Sequence, residues 1–387
     1  MADIVRGVTA LLPDGTFVDA DIALADGRIA GVTPCRRTGA RVIALPGIVD
    51  IHGDAFERQL MPRPGVMFPV AAALAETDRQ LAVNGITTAF HAVTGSWEPG
   101  LRSHAMLRAL VDGLVETRPH MHVDNRLHLR FETFNLDGAG EVVALIETGA
   151  VDFVAFNDHL PGIREKAADP VRVAEYARRS DTTAEAYRSA LDALFARSNA
   201  VGRAVGGVAA AARARGLPMA SHDDRTPEDR ERYAALGCGV CEFPLSVETA
   251  RHARRDGAEI VMGAPNVVRG GSHLGRGMSA RDHAIQGTCT ILASDYYYPA
   301  PMIAAFALAA SGEMSLGEAW NLVSRNPARA TGLADRGEIA AGRRADILLV
   351  DMTTPAQPRL LATLVAGRSV HQREEAAPHF VTTRQVA

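Results

Sequence analysis

The feature that most constrains this chain is a set of eight short apolar runs, each followed by a stretch with helical periodicity. The runs occupy residues 43–52, 86–93, 126–132, 151–159, 217–222, 240–245, 259–265 and 289–295. Short apolar runs that alternate with Ala- and Arg-rich helical stretches are typical of a parallel sheet. Eight such units predict a (β/α)8 barrel of the α/β class. The interval between the fourth and fifth runs is long, and we expect residues 165–216 to hold an additional helix.

Both ends of the chain show a different pattern, in which short strands are separated by turns. Asp14-Gly15 and Asp26-Gly27 are hairpin signals within the first 45 residues. Residues 337–351 and 359–372 are also strand-like, with glycines between them. We therefore expect a small β-sandwich domain built from residues 1–45 and 335–387, beside a hydrolase-type barrel over residues 46–334.

Composition and charge exclude several classes of protein. With 47% hydrophobic and 22% charged residues, the 387-residue chain is globular, not disordered. Its 41 basic and 45 acidic side chains give a net charge of −4, so it has no basic field for nucleic acid or an anionic membrane. The sequence has no secretory signal, no apolar run of ~18 residues and too few cysteines for a disulfide framework. We expect a cytoplasmic protein.

Acidic and imidazole side chains follow the predicted strands, at the end of a barrel where catalytic groups lie. They are His52, Asp54, Glu132, Asp158, His159, His222, Asp223, Asp224, Glu242 and Asp295. His52 and Asp54 are two residues apart, so an extended chain places both side chains on one face. Imidazoles and carboxylates are ligands for zinc, manganese and iron, and the sequence therefore predicts a divalent metal site. We place Glu242 near this site without a ligand role.

Several segments resemble the amidohydrolase superfamily, over nearly the whole chain. They are LPGIVDIHGD, the later ASD and GEIAAGRRADILLVD. Others resemble the branch of that superfamily that cleaves ribose phosphonate triphosphates, and these are HGDAFERQLMPRPGV, NRLHLRFE, ASHDD, VMGAPNVVRGGSH and ASDYYYP. The resemblance implies a hydrolase with two divalent ions, most simply zinc, with manganese or iron as alternatives.

The chain departs from the common superfamily pattern at two places. It has His-x-Asp where many members have His-x-His, and its only lysine, Lys166, lies in a polar stretch that suits it poorly as a carboxylated bridge between two ions. The resemblance implies that Glu132 bridges instead. The first ion would take His52, Asp54, Glu132 and Asp295, and the second would take Glu132, His159 and His222. Asp295 is also expected to accept the proton of the attacking water.

A glycine-containing segment after the seventh strand is expected to bind phosphate. Adjacent glycines permit a backbone nest for an anion, and an arginine contacts phosphate oxygens in a bidentate way. A turn without a ligand is the alternative. The candidate substrate ligands are Arg269, Gly270, Gly271, Ser272, His273, Arg58, Arg63 and Asp224. Arg130 shares a strand face with Glu132, and we expect it either to reach the pocket or to pack within the barrel core.

The resemblance implies a small-molecule substrate, a phosphorylated ribose phosphonate, which is cleaved to the 5-phosphate and pyrophosphate. One alternative is a C–N hydrolase, such as a cyclic amidase, deacetylase or deaminase, on the same binuclear site. A second is a non-catalytic binding or scaffold protein, which the filled ligand positions disfavour. We expect neither a nucleic acid nor a membrane as partner, and a homo-oligomer is compatible with the sequence.

Overall fold

The computed structural model describes residues 3–36, 41–63, 65–180, 182–271 and 279–382. The N-terminal strands are β1 (Asp3–Leu11), β2 (Phe17–Ala25), β3 (Arg28–Pro34) and β4 (Val42–Pro46). The next eight strands are β5 (Ile48–Gly53), β6 (Ile86–Gly95), β7 (Asp124–Glu132), β8 (Phe153–Asn157), β9 (Met219–His222), β10 (Val240–Glu242), β11 (Glu259–Gly263) and β12 (Ile291–Ala293). The C-terminal strands are β13 (Ile347–Asp351), β14 (Arg359–Val365), β15 (Arg368–Gln372) and β16 (Phe380–Thr382).

The helices lie mainly between the strands of the central region. The first eight are α1 (Glu57–Leu60), α2 (Val70–Val83), α3 (His104–Thr117), α4 (Ala139–Thr148), α5 (Leu160–Lys166), α6 (Pro170–Arg179), α7 (Ala184–Phe195) and α8 (Val201–Ala214). The others are α9 (Pro227–Ala235), α10 (Val247–Arg255), α11 (Ala264–Arg269), α12 (Ala280–Ile285), α13 (Ala300–Ala310), α14 (Leu316–Asn321) and α15 (Arg325–Ala330). Among the described residues, none of these helices is long and apolar enough to cross a membrane.

Strands β5 to β12 form one parallel sheet in which each strand pairs with the next along the chain. A bridge between Gly53 and Asp295 joins the last strand to the first. Apolar side chains that include Val49, Phe90 and Phe153 form a buried cluster among these strands. The predicted eight-stranded barrel is confirmed.

The strands from both ends of the chain share a second sheet. Its order is β15-β14-β13-β4-β1-β2-β3, and β16 pairs with β1. Strand β4 pairs in parallel with β1 and antiparallel with β13, so it joins the N-terminal strands to the C-terminal ones. The prediction of a small β domain built from both termini is confirmed.

The first apolar run, residues 43–52, is not one strand. It is divided between β4 in the terminal sheet and β5 in the barrel. The division falls at Gly47, where a Cβ atom would lie 2.2 Å from the Thr87 hydroxyl oxygen. The chain passes between the two sheets at a point where the barrel leaves no room for a side chain.

The long interval between the fourth and fifth barrel strands holds α5, α6, α7 and α8. Helix α8 contacts α4 on the outside of the barrel, as a barrel helix does. Helices α5 to α7 instead contribute to a separate apolar cluster that includes Phe134, Leu160 and Tyr187. The predicted insertion is therefore helical and packs beside the carboxyl ends of β7 and β8.

Candidate functional site at the carboxyl end of the barrel

The hydrogen bonds that close the barrel place two carboxylates side by side. The Asp295 N–H donates to the His52 carbonyl oxygen at 2.9 Å, and the Asp54 N–H donates to the Asp295 carbonyl oxygen at 2.9 Å. Asp295 adopts a left-handed backbone conformation with a φ of 54°, which only a few residue types tolerate. Burial and the neighbouring Asp54 charge raise the pKa of Asp295 to about 7. A carboxyl group with this pKa is suited to exchange protons near neutral pH.

A second group lies deeper, between the first, third, fifth and sixth barrel strands. The Nδ1 atom of His52 is 3.0 Å from Oε1 of Glu242, and Nε2 of His128 is 3.9 Å from Oε2 of the same carboxylate. His222 stands directly opposite Glu242 in the strand register, and its ring centroid is 5.4 Å from that of His52. Burial lowers the pKa of His52 well below its ordinary value and that of His128 to about 3, so both imidazoles are neutral.

A third group consists of His159 with two carboxylates. Its Nδ1 lies 2.7 Å from Oε1 of Glu132, and its Nε2 lies 3.2 Å from Oδ2 of Asp223. Burial by itself would lower the pKa of His159, but the two carboxylates together have the larger effect and raise this pKa to about 10. In this arrangement His159 is an imidazolium that donates from both ring nitrogens, and it must lose a proton before it can bind a metal.

Arg130 reaches the pocket and does not merely fill the barrel core. Its Nη2 donates to Nε2 of His222 at 3.2 Å, and its Nη1 lies 3.9 Å from Oδ2 of Asp54. The Asn157 amide, oriented to satisfy its hydrogen bonds, accepts from Nε and Nη2 of Arg130 at 3.0 and 3.1 Å. A buried guanidinium is thus held among the strand-end carboxylates.

Among the residues that the structure describes, two sets of ligand atoms are close enough to hold a metal ion. His52, His222 and Glu242 form the first set and His159, His222 and Asp223 the second, with the atoms of each set within 4.8 Å of one another. Imidazole and carboxylate donors suit divalent transition metals, so the residues present fit such an ion. The structure brings His52, His159 and His222 into these sets. Asp54 and Asp295 lie outside both sets and are joined by a backbone hydrogen bond, and Glu132 contacts His159.

Asp224, a predicted substrate ligand, is not brought together with the histidines of the site. Its Oδ2 accepts from the Ser221 hydroxyl at 2.5 Å and lies 3.8 Å from Arg230, in a buried position behind the strand. The neighbouring Asp223 faces the histidines instead. Its φ of 58° turns the chain, so the two consecutive carboxylates point to different places.

The expected anion nest does not form at Gly270 and Gly271. Gly270 has a φ of 80° and ends α11, and its N–H donates to the Val267 carbonyl oxygen. The Gly271 N–H donates to the Asn266 carbonyl oxygen at 3.1 Å. Both N–H groups therefore cap a helix and are not directed at a ligand. Ser272 and His273 lie outside the described residues.

Two of the predicted arginines meet at one tyrosine beside Asp295. The Arg58 guanidinium lies 5.9 Å from the ring centroid of Tyr296, and Nη1 of Arg269 is 3.4 Å from its hydroxyl oxygen. Arg63 lies on the exposed loop after α1, where its backbone pairs with Val66. Lys166 is exposed at the end of α5, as expected of a residue without a metal-bridging role.

Sequence reasoning missed two residues of the deeper group. His128 received no role, although HLRFE places His128, Arg130 and Glu132 on one face of β7 by simple alternation. The sequence predicts a place near the site but no ligand role for Glu242, and the structure puts it among three histidines. The three-residue β10 is too short for its own periodicity to show which way Glu242 faces.

Comparisons with known proteins agree with this architecture. A model of the amidohydrolase family matches residues 137–383. The chain is 35% identical over 314 residues to the alpha-D-ribose 1-methylphosphonate 5-triphosphate diphosphatase of Escherichia coli (strain K12), which covers 79% of this chain and 82% of that protein. It is also 26% identical to the adenine deaminase of Methylobacterium sp. (strain 4-46), over 96% of this chain and 58% of that protein.

Solved structures show the same fold at lower sequence identity. The N-isopropylammelide isopropylaminohydrolase from Burkholderia multivorans ATCC 17616 superposes with a TM-score of 0.63 at 20% identity, covering 96% of this chain and 98% of that one. The dihydropyrimidinase from Brevibacillus agri NCHU1002 gives a TM-score of 0.55 at 14% identity. At these identities the likeness concerns the fold alone.

Proposed function

This chain belongs to the amidohydrolase family, and from that premise we propose that it hydrolyses α-D-ribose 1-methylphosphonate 5-triphosphate to the 5-phosphate and pyrophosphate. The observation that carries the proposal is the pair of guanidinium groups, Arg58 and Arg269, that meet at Tyr296 immediately after Asp295. Two positive charges at the entrance to a cluster of carboxylates suit a substrate with a chain of phosphates. The diphosphatase relative, at 35% identity, supports the same substrate class.

Members of the family typically bind divalent metal ions, and the donor set at the strand ends fits them. We propose two ions, most simply zinc, held by the strand-end histidines and carboxylates: His52, Asp54, Glu132, His159, His222 and Asp295. A bound divalent ion lowers the pKa of water and withdraws charge from phosphate oxygens. The second set of ligand atoms contains His159, which would release its proton to solvent on loading.

Side chains of the protein are proposed to bind the phosphates, position the carboxylates and accept the proton of the attacking water. Arg58 and Arg269 bind the β and γ phosphates and stabilise the negative charge that develops on pyrophosphate as it leaves. Arg130 fixes the strand-end carboxylates through its contact with Asp54. Asp295 accepts one proton from the attacking water, since a carboxylate positioned among the strand-end residues can act as a general base.

The bond changes of the proposed reaction balance without any further reactant. The water oxygen forms a bond to phosphorus as the anhydride bond between the α and β phosphates breaks. The electron pair of that bond leaves on pyrophosphate, and the proton taken by Asp295 returns to solvent.

The test is to incubate the zinc-loaded protein with this triphosphate and to follow the products by phosphorus NMR. We expect the pyrophosphate signal to grow together with that of the 5-phosphate. Asp295→Asn serves as the control for contaminating phosphatase, because that variant is expected to be nearly inactive. Release of ammonia from adenine without any pyrophosphate from the triphosphate would replace the proposal with C–N hydrolysis.

A further inference from the structure

A third guanidinium lies at the same end of the barrel as Arg58 and Arg269, and the proposed reaction does not use it. Arg102 ends the one-turn 3₁₀ helix Gly100–Arg102, in the segment that follows β6. Its carbonyl oxygen accepts a hydrogen bond at 3.1 Å from the N–H of Ser96, the residue directly after β6. The segment therefore folds back and returns Arg102 to the end of its strand.

Glu57 fixes the direction of this guanidinium. Nε and Nη2 of Arg102 donate to Oε1 and Oε2 of Glu57 at 3.1 and 3.3 Å. The Glu57 N–H in turn donates to the Asp54 carbonyl oxygen at 3.0 Å, so the ion pair lies one turn beyond the strand-end carboxylate. A two-bond contact between a planar guanidinium and a carboxylate permits little rotation, and Arg102 is therefore held in one orientation.

The ion pair leaves one side of Arg102 available to a ligand. Of the five guanidinium N–H groups, Glu57 takes two, and the others have no hydrogen-bond partner in the described part of the chain. The side chain is 26% exposed and Nη1 is not buried, so a ligand can reach these donors. Burial by itself would lower the pKa of Arg102, but neighbouring carboxylates, above all that of Glu57, raise it. A fixed cation with free donors on Nη1 and Nη2 is suited to bidentate contact with an oxyanion.

Arg102 lies on the opposite side of Asp54 from the two arginines that are proposed to bind phosphates. In the barrel, β5 is flanked by β12 and β6. Arg58 and Arg269 meet at Tyr296, which follows β12, whereas Arg102 follows β6. A long substrate with its terminal phosphates at the first two arginines can therefore extend past Asp54 toward Arg102.

We propose that Arg102 binds the methylphosphonate group of the substrate and so determines specificity at the end of the molecule opposite to the triphosphate. This assignment rests on the proposed diphosphatase function. A methylphosphonate ester carries its negative charge on two equivalent oxygens, which match the free N–H groups of Nη1 and Nη2. Arg58 and Arg269 hold the β and γ phosphates, so the phosphonate needs a cation of its own. Arg102 contacts no atom of the anhydride bond that breaks and is a binding residue only.

Two substrates that differ only at the phosphonate test this assignment. The first is the phosphonate triphosphate, and the second is methyl α-D-riboside 5-triphosphate, which keeps the closed α ring and the triphosphate but has an O-methyl group at C1. The native protein should prefer the first in kcat/KM by about 10- to 200-fold, which is the contribution of a charged hydrogen bond. Arg102→Gln should reduce this preference to near unity. Arg269→Ala should lower kcat/KM for both substrates and keep the preference.

Two further variants separate phosphonate binding from a structural role of the ion pair. Arg108→Gln is the matched control, because Arg108 forms a comparable pair with Glu141 between α3 and α4, and it should keep the native preference. Glu57→Gln/Arg102→Gln removes both charges and replaces the single variant if that variant does not fold with Glu57 unpaired. This double variant should also lose the preference. A native preference without Arg102, or equal losses on both substrates, would overturn the proposal.

Binding of the two products tests the same assignment without turnover. The probes are α-D-ribose 1-methylphosphonate 5-phosphate and methyl α-D-riboside 5-phosphate, titrated into the zinc-loaded protein in a calorimeter. The native protein should bind the first about 10- to 200-fold more tightly, and Arg102→Gln should bind both alike. Equal affinities in the native protein would overturn the proposal. A binding preference that depends on Arg102, without any pyrophosphate release, would count against the diphosphatase reaction and not against this binding site.

Discussion

Replacement of Asp295 by asparagine should give a protein that is more stable and nearly inactive. Asparagine keeps the shape of the side chain and tolerates the left-handed conformation at φ 54°, so the loop should not change. It removes the proton acceptor, and turnover of the triphosphate should fall by ~10²–10⁴. Metal content should remain largely native, since asparagine keeps one ligating oxygen and the other five proposed ligands are unchanged.

The stability gain expected of Asp295→Asn follows from the raised pKa of Asp295 in the folded protein. A folded-state pKa of about 7, against an ordinary value of 3.8 for an aspartate, means that the fold disfavours the ionised carboxylate of the metal-free protein. That difference corresponds to a cost of at most about 4 kcal/mol, which is complete above pH 7 and disappears as the pH falls toward 4. Asparagine carries no such cost, so the variant should gain most above pH 7 and nothing near pH 4.

The assay is thermal denaturation of the EDTA-treated native protein and variant between pH 4 and pH 9. For 387 residues, 1 kcal/mol corresponds to a Tm change of about 1.2 °C, so the gain at pH 9 should approach about 5 °C. A Tm difference that does not vary with pH would refute the raised pKa. Native turnover in the variant would show that Asp295 is not the group that accepts the proton of the attacking water.

Three further substitutions test the surrounding structure. Arg230→Met should lower the stability by about 3–5 kcal/mol, measured as a Tm loss, because Arg230 is buried and donates to Ser221 and to the backbone of Cys238 and Val240. Arg269→Ala should reduce kcat/KM for the triphosphate by ~10- to 200-fold with zinc content unchanged, and a native kcat/KM would exclude Arg269 from substrate binding. Lys166→Ala should change neither activity nor zinc content, because its side chain is exposed at the end of α5. Loss of zinc in this variant would contradict the prediction that Lys166 does not bridge the ions.

The barrel was predictable because its signal is local and repeated. Each strand and its helix carry their own periodicity, and eight copies of the pattern leave few alternatives. The division at Gly47 was not predictable, since the apolar run continues through it. The Thr87 side chain of a neighbouring strand leaves no room for a Cβ atom at this position, and that contact arises only when the barrel is formed.

The candidate site was predictable to the level of strand ends but not of side-chain direction. Asp223 and Asp224 are chemically equivalent neighbours, and the left-handed turn at Asp223 decides which of them faces the histidines. Gly270 and Gly271 suit both an anion nest and a helix cap, and the choice depends on where α11 ends. Glu242 faces three histidines from other strands, and only the closure of the barrel brings them together.

The most direct test of metal-dependent hydrolysis is the initial rate of pyrophosphate release as a function of zinc occupancy. The protein is stripped with EDTA and reloaded in steps, and both the zinc content and the rate are measured at each step. We expect no pyrophosphate from the stripped protein and a rate that rises with occupancy to its full value at saturation. Full activity after stripping, or no pyrophosphate from the fully loaded protein, would contradict the account.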